Sequence, residues 1–358
     1  MMTIYNFGAG PAVLPRDVLL QAQAELLDFR GHGVSIMEMS HRGPLFEALF
    51  EEIESDFRSL MAVPANYQVL FMQGGATAQF AMVPINLLRG KRQADYIVTG
   101  EWGQKAVSEA SRFCDVHLAA NTAVHGFVNV PDELEVDMAS AYLHYTSNET
   151  IRGIEFKSLP DPRGLPLVCD MSSNILSRPV DISRFGLVYA GAQKNIGPSG
   201  LTLVIVRDDL LGEVLPQQSR LFDYRQVASQ HSMLNTPPTF SIYMAGLVFK
   251  WLIRQGGLVA MQGINERKAS KLYGCIDASS LYVCRVHPGA RSCMNVAFYL
   301  QEESLYPLFF SQAAKEGFLQ LKGHKLAGGV RASIYNAMPE AGVDALIAFM
   351  SEFERING

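Results

Sequence analysis

Cysteine is scarce in this 358-residue sequence, and no two cysteines are spaced as Cys-x-x-Cys. A disulfide framework needs an even, regularly spaced set of cysteines, and a structural zinc site needs closely paired ones. The sequence therefore favours a reduced, cytoplasmic protein and predicts no metal site. The five cysteines are odd in number and scattered, at Cys114, Cys169, Cys275, Cys284 and Cys293.

Long apolar runs are also missing. The longest continuous runs, such as residues 201–206, are far shorter than the roughly 20 residues that a membrane helix needs. The segment 1–11 has no Lys or Arg and no extended apolar stretch, so it does not resemble a signal peptide. Lys and Arg total 30 against 35 Asp and Glu, a net charge of −5. This balance disfavours a general binder of nucleic acids or anionic membranes.

The sequence does contain the composition and the alternation of an α/β protein. Hydrophobic residues make up 48% of the chain and charged residues 18%, as in ordinary folded proteins. Short, continuous apolar runs alternate with helical patterns, which indicates strands buried on both faces under covering helices. The predicted strands cover residues 67–72, 95–98, 116–119, 141–145, 167–169, 187–190 and 201–206, and the predicted helices 18–29, 78–88 and 102–113.

The pattern changes after residue 241. An apolar segment at 242–253 predicts a buried helix that links two domains. Beyond it, three strand patterns and a closing helix predict a smaller α+β region. The predicted organisation is a large domain over residues 15–255 and a small domain formed by residues 1–14 and 256–358. The later strand patterns lie near 295–299, 318–321 and 331–335, and the closing helix at 342–355.

Asp170 and Lys194 form the most informative pair of polar residues. Each follows a predicted strand, and they lie 24 residues apart, which allows one connection between neighbouring strands. Open α/β sheets bind their ligands at the carboxyl ends of such strands. A lysine that forms a Schiff base and a carboxylate that holds a proton on a ring nitrogen are what pyridoxal phosphate requires. A strand-end Asp and an unrelated solvated Lys remain the alternative.

A second signal lies directly after the first long predicted strand. Gly74, Gly75, Ala76 and Thr77 lead from that strand into a predicted helix. Backbone amides and the positive end of a helix dipole can hold a phosphate there, and a threonine hydroxyl adds a donor. No Gly-Lys-Ser/Thr follows, so this is not a Walker loop. The alternative is a turn followed by an ordinary helix cap.

Other candidates stand in loops or at strand ends. Trp102 can stack on a flat ring, or it can be a core residue. Asn235 and Thr236 precede two prolines and can act as hydrogen-bond donors, or they can form a turn before a helix. Arginine and histidine side chains can receive carboxylates or phosphates, or they can be surface charges. The latter residues are His41, Arg42, His324 and Arg331.

Taken together, these strings resemble the phosphoserine aminotransferase family. The resemblance runs from residues 7–11 to 353–355, essentially the whole chain. It implies the fold of aspartate aminotransferase, with a seven-stranded mixed, mainly parallel sheet in a large domain and a smaller α+β domain. It also implies pyridoxal 5′-phosphate as cofactor and a homodimer with active sites at the interface. The strings are SIMEMSHRG (35–43), NET (148–150), YAGAQKNIG (189–197), MLNTPPTF (233–240), GLVFKWL (246–252) and RASIYNAMP (331–339).

The resemblance also implies a role for each candidate residue. Lys194 would form the Schiff base and Asp170 would hold the pyridine nitrogen. Trp102 would stack on the ring. The other residues would contact either the cofactor or the substrate. Thr150 and Gln193 would contact the cofactor. Ala76 and Thr77 would hold its phosphate, together with Asn235 and Thr236 from the other subunit. Arg42 and Arg331 would bind the substrate anions, with His41 and His324 near the substrate phosphate.

Two positions depart from some relatives. Some carry Gly-Arg where this chain has Ala76 and Thr77, so an arginine contact to the substrate phosphate is missing here. Some carry Ser where this chain has Ala9, which removes one side-chain hydrogen bond at the amino-acid site. Neither change affects Lys194 or Asp170.

The implied reaction is a ping-pong amino transfer between glutamate and 3-phosphohydroxypyruvate. Some bacterial relatives also transaminate a phosphorylated hydroxythreonine in vitamin B6 synthesis, which the resemblance gives as a second candidate substrate. Three alternative functions lack the sequence features that they would need, or leave features of this sequence without a use. A cysteine desulfurase needs a reactive loop cysteine, and no cysteine here stands in such a string. An alanine–glyoxylate-type enzyme would not need His41 and His324 for a second anion. A cofactor-free binding or scaffold protein would not need Lys194 and Asp170.

Overall fold

A seven-stranded sheet organises most of the chain in the computed structural model, which describes residues 3–358. The strands within residues 3–358, including those outside this sheet, are β1 (Tyr5–Asn6), β2 (Tyr67–Met72), β3 (Gln93–Val98), β4 (Asp115–Asn121), β5 (Leu143–Thr146), β6 (Asn148–Glu149), β7 (Ile154–Glu155), β8 (Leu167–Asp170), β9 (Leu187–Gly191), β10 (Thr202–Arg207), β11 (Tyr282–Val283), β12 (Asn295–Leu300), β13 (Phe318–Leu319) and β14 (Val330–Ser333).

Helices cover the sheet and build the C-terminal region. Within residues 3–358 they are α1 (Arg16–Glu25), α2 (Pro44–Met61), α3 (Gly75–Leu87), α4 (Glu101–Ala110), α5 (Tyr224–Ser229), α6 (Thr239–Arg254), α7 (Gly257–Ala278), α8 (Tyr306–Lys315) and α9 (Glu340–Asn357). Short 3-10 helices lie at Phe29–Gly31, Ile36–Glu38, Thr122–His125, Ile182–Arg184, Asp208–Leu210, Arg220–Phe222, Pro288–Ala290 and Glu303–Leu305.

The strand order of the large sheet is β2-β10-β9-β8-β5-β3-β4. Strand β10 is antiparallel to both of its neighbours, and the other neighbouring pairs are parallel. Six of the seven strands therefore run in one direction and end at the same edge. The predicted seven-stranded, mixed and mainly parallel sheet is confirmed, and this shared edge is where the loops of the site meet.

Most predicted elements are present with small changes at their ends. The first predicted helix, 18–29, is shorter, because α1 stops at Glu25 and Asp28 takes an extended backbone before the 3-10 helix that starts at Phe29. Helix α2 was not predicted, although Phe46, Ile53 and Phe57 lie on its buried face at helical spacing. Helix α7 was also missed, because the Gly256-Gly257 pair marks an end and hides the immediate restart.

Two helix layers sandwich the large sheet. Helices α1, α2 and α6 pack against one face, and α3 and α4 against the other. Helix α6 is buried, as its apolar sequence predicts, and it lies closely against α2. The close approach requires Gly246, since a Cβ there would overlap the side chain of Ile53. This packing fixes the sheet edge that carries the candidate site.

A second hydrophobic core lies in the C-terminal region. It combines Phe7 with side chains of β12, β14 and helices α7 to α9, such as Phe298, Phe309 and Phe353. Strand β1 pairs with β13, so the beginning of the chain joins the C-terminal part. The domain bounds 15–255 and 1–14 with 256–358 stay a prediction, and their first two residues lie outside the described part.

The structure also describes the state of the cysteines and the character of the helices. All five cysteines are free. Over residues 3–358, no helix has both the length and the apolar character that a membrane crossing requires.

Candidate active site

Five loops bring polar residues to one edge of the large sheet. They follow β2, β3, β5, β8 and β9, whose carboxyl ends point the same way. Strands β8 and β9 are parallel neighbours, as the spacing of Asp170 and Lys194 predicts. Asp170 is the last residue of β8, and Lys194 lies three residues beyond Gly191, the end of β9. The strand ends therefore assemble the central pair.

These loops enclose a cavity of about 110 Å³, here called the Lys194 cavity. Seven of the predicted site residues line it, drawn from all five loops. Its lining consists of Gly75, Ala76, Thr77, Trp102, Thr146, Asn148, Thr150, Asp170, Ser172, Ser173, Gln193 and Lys194.

The Lys194 amine is held by a neighbouring loop. Its Nζ donates a hydrogen bond of 2.8 Å to Oγ1 of Thr150. Burial lowers the pKa of Lys194 to about 8, while the negative charges of Asp170 and Glu149 raise it and Arg331 lowers it further. The charged form still predominates at neutral pH, but a larger fraction of this amine is uncharged than in an ordinary lysine, and an uncharged amine can act as a nucleophile or a base.

The Asp170 carboxyl is buried, with 4% of its surface exposed. Its Oδ1 accepts a hydrogen bond of 2.8 Å from the backbone N–H of Ser172. Burial raises the pKa of Asp170, and the hydrogen bonds of Ser172 and the charge of Lys194 oppose this rise. A buried carboxyl of this kind can hold a protonated ring nitrogen, which would compensate its desolvation.

The start of helix α3 forms another wall. Gly74 precedes the helix in the left-handed region with φ of 96°, and Gly75 follows with φ of 65°. A Cβ on Gly74 would also lie 2.5 Å from Cβ of Ala78. No side chain of the described residues caps this helix, so the amides at Ala76 and Thr77 stay available to an anion.

Trp102 lies in the first turn of helix α4. The Nζ of Lys194 is 5.7 Å from the centroid of its indole ring. The indole Nε1 is buried and finds no hydrogen-bond partner within residues 3–358. The ring therefore stands beside the cavity, where a flat ligand can pack against it and its N–H can meet an acceptor.

Two pairs of predicted site residues lie outside the Lys194 cavity, at the protein surface. Arg42 Nε is 3.3 Å from Nε2 of His41. Asn235 donates a hydrogen bond of 2.9 Å from Nδ2 to Oε1 of Gln73, and Gln73 Nε2 donates one of 3.0 Å to the backbone oxygen of Thr236. A single chain does not bring these four residues to the amine of Lys194.

Arg331 and His324 belong to the C-terminal region. Arg331 is on β14, and its Nε is buried without a hydrogen-bond partner in the described chain. Burial lowers the pKa of Arg331. Partial burial, followed by the charges of Arg331 and Lys105, lowers the pKa of His324. The Arg331 charge also lowers the pKa of Lys194, so this cationic group from the C-terminal region acts electrostatically on the site.

Sequence reasoning missed several polar residues of the cavity. The side chains of Thr146 and Asn148 each carry a buried oxygen without a hydrogen-bond partner over residues 3–358. Ser172 and Ser173 also line the cavity. A usable signal existed, since both serines lie within three residues of Asp170 and Thr146 ends β5.

Comparisons with known proteins agree with this geometry. Residues 4–346 match the family described as Aminotransferase class-V. A phosphoserine aminotransferase of Laribacter hongkongensis (strain HLHK9) is 57% identical over 360 aligned positions, which cover 100% of both chains. The solved phosphoserine aminotransferase from Bacillus circulans subsp. alkalophilus superposes with a TM-score of 0.97 at 48% identity, covering 99% of each chain. The pyridoxal-phosphate-bound enzyme from Trichomonas vaginalis gives a TM-score of 0.94 at 40% identity, covering 98% of this chain and 100% of that one.

These likenesses extend through the whole chain and include both hydrophobic cores. These proteins resemble the chain in sequence as well as in fold. The similarity is therefore more specific than a shared architecture, which many unrelated enzymes have. The chain therefore belongs to the class-V aminotransferase family and, within it, to the phosphoserine aminotransferases.

Proposed function

We propose that this chain transfers an amino group reversibly between L-glutamate and 3-phosphohydroxypyruvate, giving O-phospho-L-serine and 2-oxoglutarate. The observation that carries the proposal is the juxtaposition of Lys194 and Asp170 in one cavity with an uncapped helix start. Sequence identity of 57% to a curated phosphoserine aminotransferase supports the choice of substrates. The reaction is a step of serine biosynthesis, and we place it in the cytoplasm.

The residues of the cavity fit pyridoxal phosphate. The free amides at Ala76 and Thr77 match its phosphate, and the buried Asp170 matches its ring nitrogen. Several buried polar atoms have no hydrogen-bond partner within residues 3–358, among them Trp102 Nε1 and Thr146 Oγ1. A polar ligand in the cavity would supply such partners. When bound, the cofactor supplies an aldehyde for covalent attachment and a ring that withdraws electrons from the substrate carbon.

Lys194 and Asp170 would have separate chemical tasks. Lys194 anchors the cofactor through Nζ and, once released, takes a proton from the α-carbon of the substrate and returns one later in the cycle. Its lowered pKa favours this base role near neutral pH. Asp170 keeps a proton on the ring nitrogen by charge. Thr150 and Gln193 would contact the cofactor and Trp102 would pack on its ring.

Cationic side chains would bind the anionic groups of the substrates. Arg331 has no carboxylate within salt-bridge distance in the described chain, so its guanidinium is free to take a substrate carboxylate. We assign the second anion to Arg42, His41 and His324. Because Ala76 and Thr77 replace the Gly-Arg of some relatives, these residues would carry the contact without that arginine.

The proposal includes a homodimer that shares its sites. Asn235 and Thr236 are exposed and contact Gln73, and neither residue lines the Lys194 cavity of its own chain. We infer that they complete the phosphate site of the partner subunit. The large domain, residues 15–255, would carry the cofactor, and residues 1–14 with 256–358 would form the small domain.

Two measurements test the proposal. Borohydride reduction after incubation with pyridoxal phosphate, followed by peptide mass mapping, should place the cofactor on Lys194. Initial rates with glutamate as donor should be much higher with 3-phosphohydroxypyruvate than with glyoxylate. An unlabelled Lys194, or a preference for glyoxylate, would contradict the assignment.

A further inference from the structure

Glu149 is a buried carboxyl that none of the proposed catalytic steps uses. It is 0% exposed and sits in β6, which pairs with β7. Its two oxygens accept separate hydrogen bonds, Oε2 from the backbone N–H of Trp102 at 3.1 Å and Oε1 from that of Gly103 at 2.8 Å. A carboxyl thus reaches across 47 residues of sequence to the backbone of Trp102, the residue whose ring borders the cavity.

These hydrogen bonds replace a missing helix cap. Helix α4 begins after Gly100, which has no side chain and therefore cannot accept a hydrogen bond from the first backbone N–H groups of the helix. The free amides of a helix start need acceptors, and a negative charge there is favoured by the helix dipole. Glu149 therefore fixes the first turn of α4, where Trp102 lies.

The packing around Glu149 is matched to this contact. A Cβ on Gly100 would lie 2.5 Å from Cδ of Glu149, and a Cβ on Gly103 would lie 3.4 Å from its Oε1. The backbone of Gly100 is extended, with φ of 176°, so the glycine serves close approach rather than an unusual conformation. The carboxyl can reach the helix only because this position has no side chain.

The neighbour of Glu149 holds the other side of the site. Thr150 accepts the hydrogen bond of the Lys194 amine. The dipeptide at residues 149–150 is therefore tied to the backbone of Trp102 on one side and to Lys194 on the other. The indole centroid and the amine, which these two contacts hold from either side, are 5.7 Å apart.

Burying the carboxyl of Glu149 costs free energy, so we expect this carboxyl to have a role. Burial raises the pKa of Glu149 to about 7, although both amide hydrogen bonds lower it. The nearby charges are the carboxyls of Glu101 and Asp170 and the amine of Lys194. A glutamine in its place would offer only one acceptor oxygen to two amides and would turn an N–H₂ group towards an N–H.

We propose that Glu149 is a positioning residue which, through the backbone of Trp102 and Gly103, holds the indole ring at the distance from Lys194 that the cofactor ring needs. The inference rests on the proposed function in one respect, namely that the indole packs on pyridoxal phosphate. The placement of the indole itself can be tested without cofactor.

The first experiment uses fluorescence of the cofactor-free chain. The sequence has two tryptophans, so Trp251→Phe leaves Trp102 as the only one. In that background, Glu149→Gln should change the emission maximum and increase the quenching of Trp102 by acrylamide. Glu155→Gln is the matched control, because Glu155 is also buried, lies on the paired strand β7 and bonds to Lys157 and Cys293 instead of α4. It should leave the emission of Trp102 unchanged.

The second experiment measures cofactor affinity in a double-mutant cycle. Glu149→Gln should weaken binding of pyridoxal phosphate roughly 5- to 100-fold, the effect of leaving buried amides without acceptors. In a Trp102→Ala background the same substitution should cost less than about twofold, since effects that act through one residue are not additive. Additive losses, or unchanged Trp102 emission in Glu149→Gln, would overturn the proposal.

A steric variant covers the case in which Glu149→Gln does not fold. Gly100→Ala keeps the carboxyl but pushes it from the helix, so it should reproduce the altered Trp102 emission. Normal emission in a folded Gly100→Ala protein would also overturn the proposal. Failure of the proposed function is separate, because it would appear as an unlabelled Lys194 in the unmodified chain after borohydride reduction.

Discussion

The candidate site has an inner part and an outer part, and they differ in how completely one chain builds them. The inner part is the Lys194 cavity, where strand ends bring Lys194, Asp170 and Trp102 into one enclosure. The outer part consists of two surface pairs, His41 with Arg42 and Asn235 with Thr236. In the inner part, Lys194 Nζ donates a hydrogen bond to Thr150, and Asp170 accepts one from the backbone N–H of Ser172. The outer residues contact each other or Gln73.

This difference indicates what each part depends on. Parallel strands place their ends at one edge by backbone hydrogen bonding alone, so the inner part exists in a single subunit. Polar side chains at an exposed surface gain little from each other in water. In the proposed homodimer, a second subunit would supply the surface that brings them onto a ligand. This comparison predicts that substitutions in the inner part strongly lower the rate of the reaction. Substitutions in the outer part should have effects that depend on dimer formation.

The largest expected effect is at the centre of the inner part. Lys194→Ala should lower kcat by more than about 10⁴, because loss of a general base alone costs about 10²–10⁴ and the covalent anchor is lost as well. Circular dichroism should show an unchanged fold, and the cofactor should still bind without a covalent link. Turnover within tenfold of the unmodified chain would refute the role of Lys194.

Asp170 should rank second. Asp170→Asn should lower kcat by about 10²–10³, the range for removing one preorganised electrostatic partner, and Asp170→Ala should also weaken cofactor binding. The charge of Asp170 raises the pKa of Lys194, so its removal should lower that pKa below about 8. Cyanate labelling of Lys194 in the cofactor-free protein should then reach its maximum at a lower pH. Near-normal turnover of Asp170→Asn would exclude the ring-nitrogen role.

The outer part should show a smaller effect that requires two subunits. Thr236→Ala should weaken cofactor binding roughly 10- to 100-fold, the value of one hydrogen bond to a charged group. The contact of Thr236 with Gln73 uses its backbone oxygen and is preserved. Affinity should also fall when the protein is diluted into monomers. An unchanged dissociation constant would remove Thr236 from the phosphate site.

Subunit mixing separates a shared site from a local one. A Lys194→Ala subunit has no amine but can lend its Asn235 and Thr236. A subunit with Asn235→Ala and Thr236→Ala keeps Lys194 but cannot complete its partner. After dissociation and mixing, heterodimers should regain part of the activity. If heterodimers form and activity stays at the level of the separate variants, Asn235 and Thr236 serve their own chain.

The smallest effect should come from a neutral hydrogen bond inside the cavity. Thr150→Val keeps the shape of the side chain but removes the oxygen that accepts from Lys194 Nζ. A net cost of about 0.5–1.5 kcal/mol is expected, which is roughly a two- to tenfold loss in kcat/KM. Because Thr150 is an inner residue, the loss should be independent of protein concentration. A concentration-dependent loss would mean that the inner part also relies on the partner.

The amino-acid sequence determined the α/β class and the position of the central pair. Apolar runs of strand length followed directly by Asp170 or by the loop of Lys194 are local patterns, and local periodicity is what a sequence reveals best. The turn at residues 74–77 was also visible, because paired glycines between a strand pattern and a helix pattern indicate a turn. Its role in holding a phosphate stays a prediction. These predictions needed no knowledge of which strands are neighbours.

Only the tertiary structure decided which distant residues meet. The sheet order β2-β10-β9-β8-β5-β3-β4 differs from the chain order, so contacts between loops cannot be inferred from spacing. Glu149 reaches the amides of helix α4 because β5 and β3 are neighbours, and the charge of Arg331 influences the pKa of Lys194 although the two residues are far apart in sequence. The surface position of Asn235 and Thr236 was equally hidden, since exposure depends on the packing of the whole fold and not on the residues themselves.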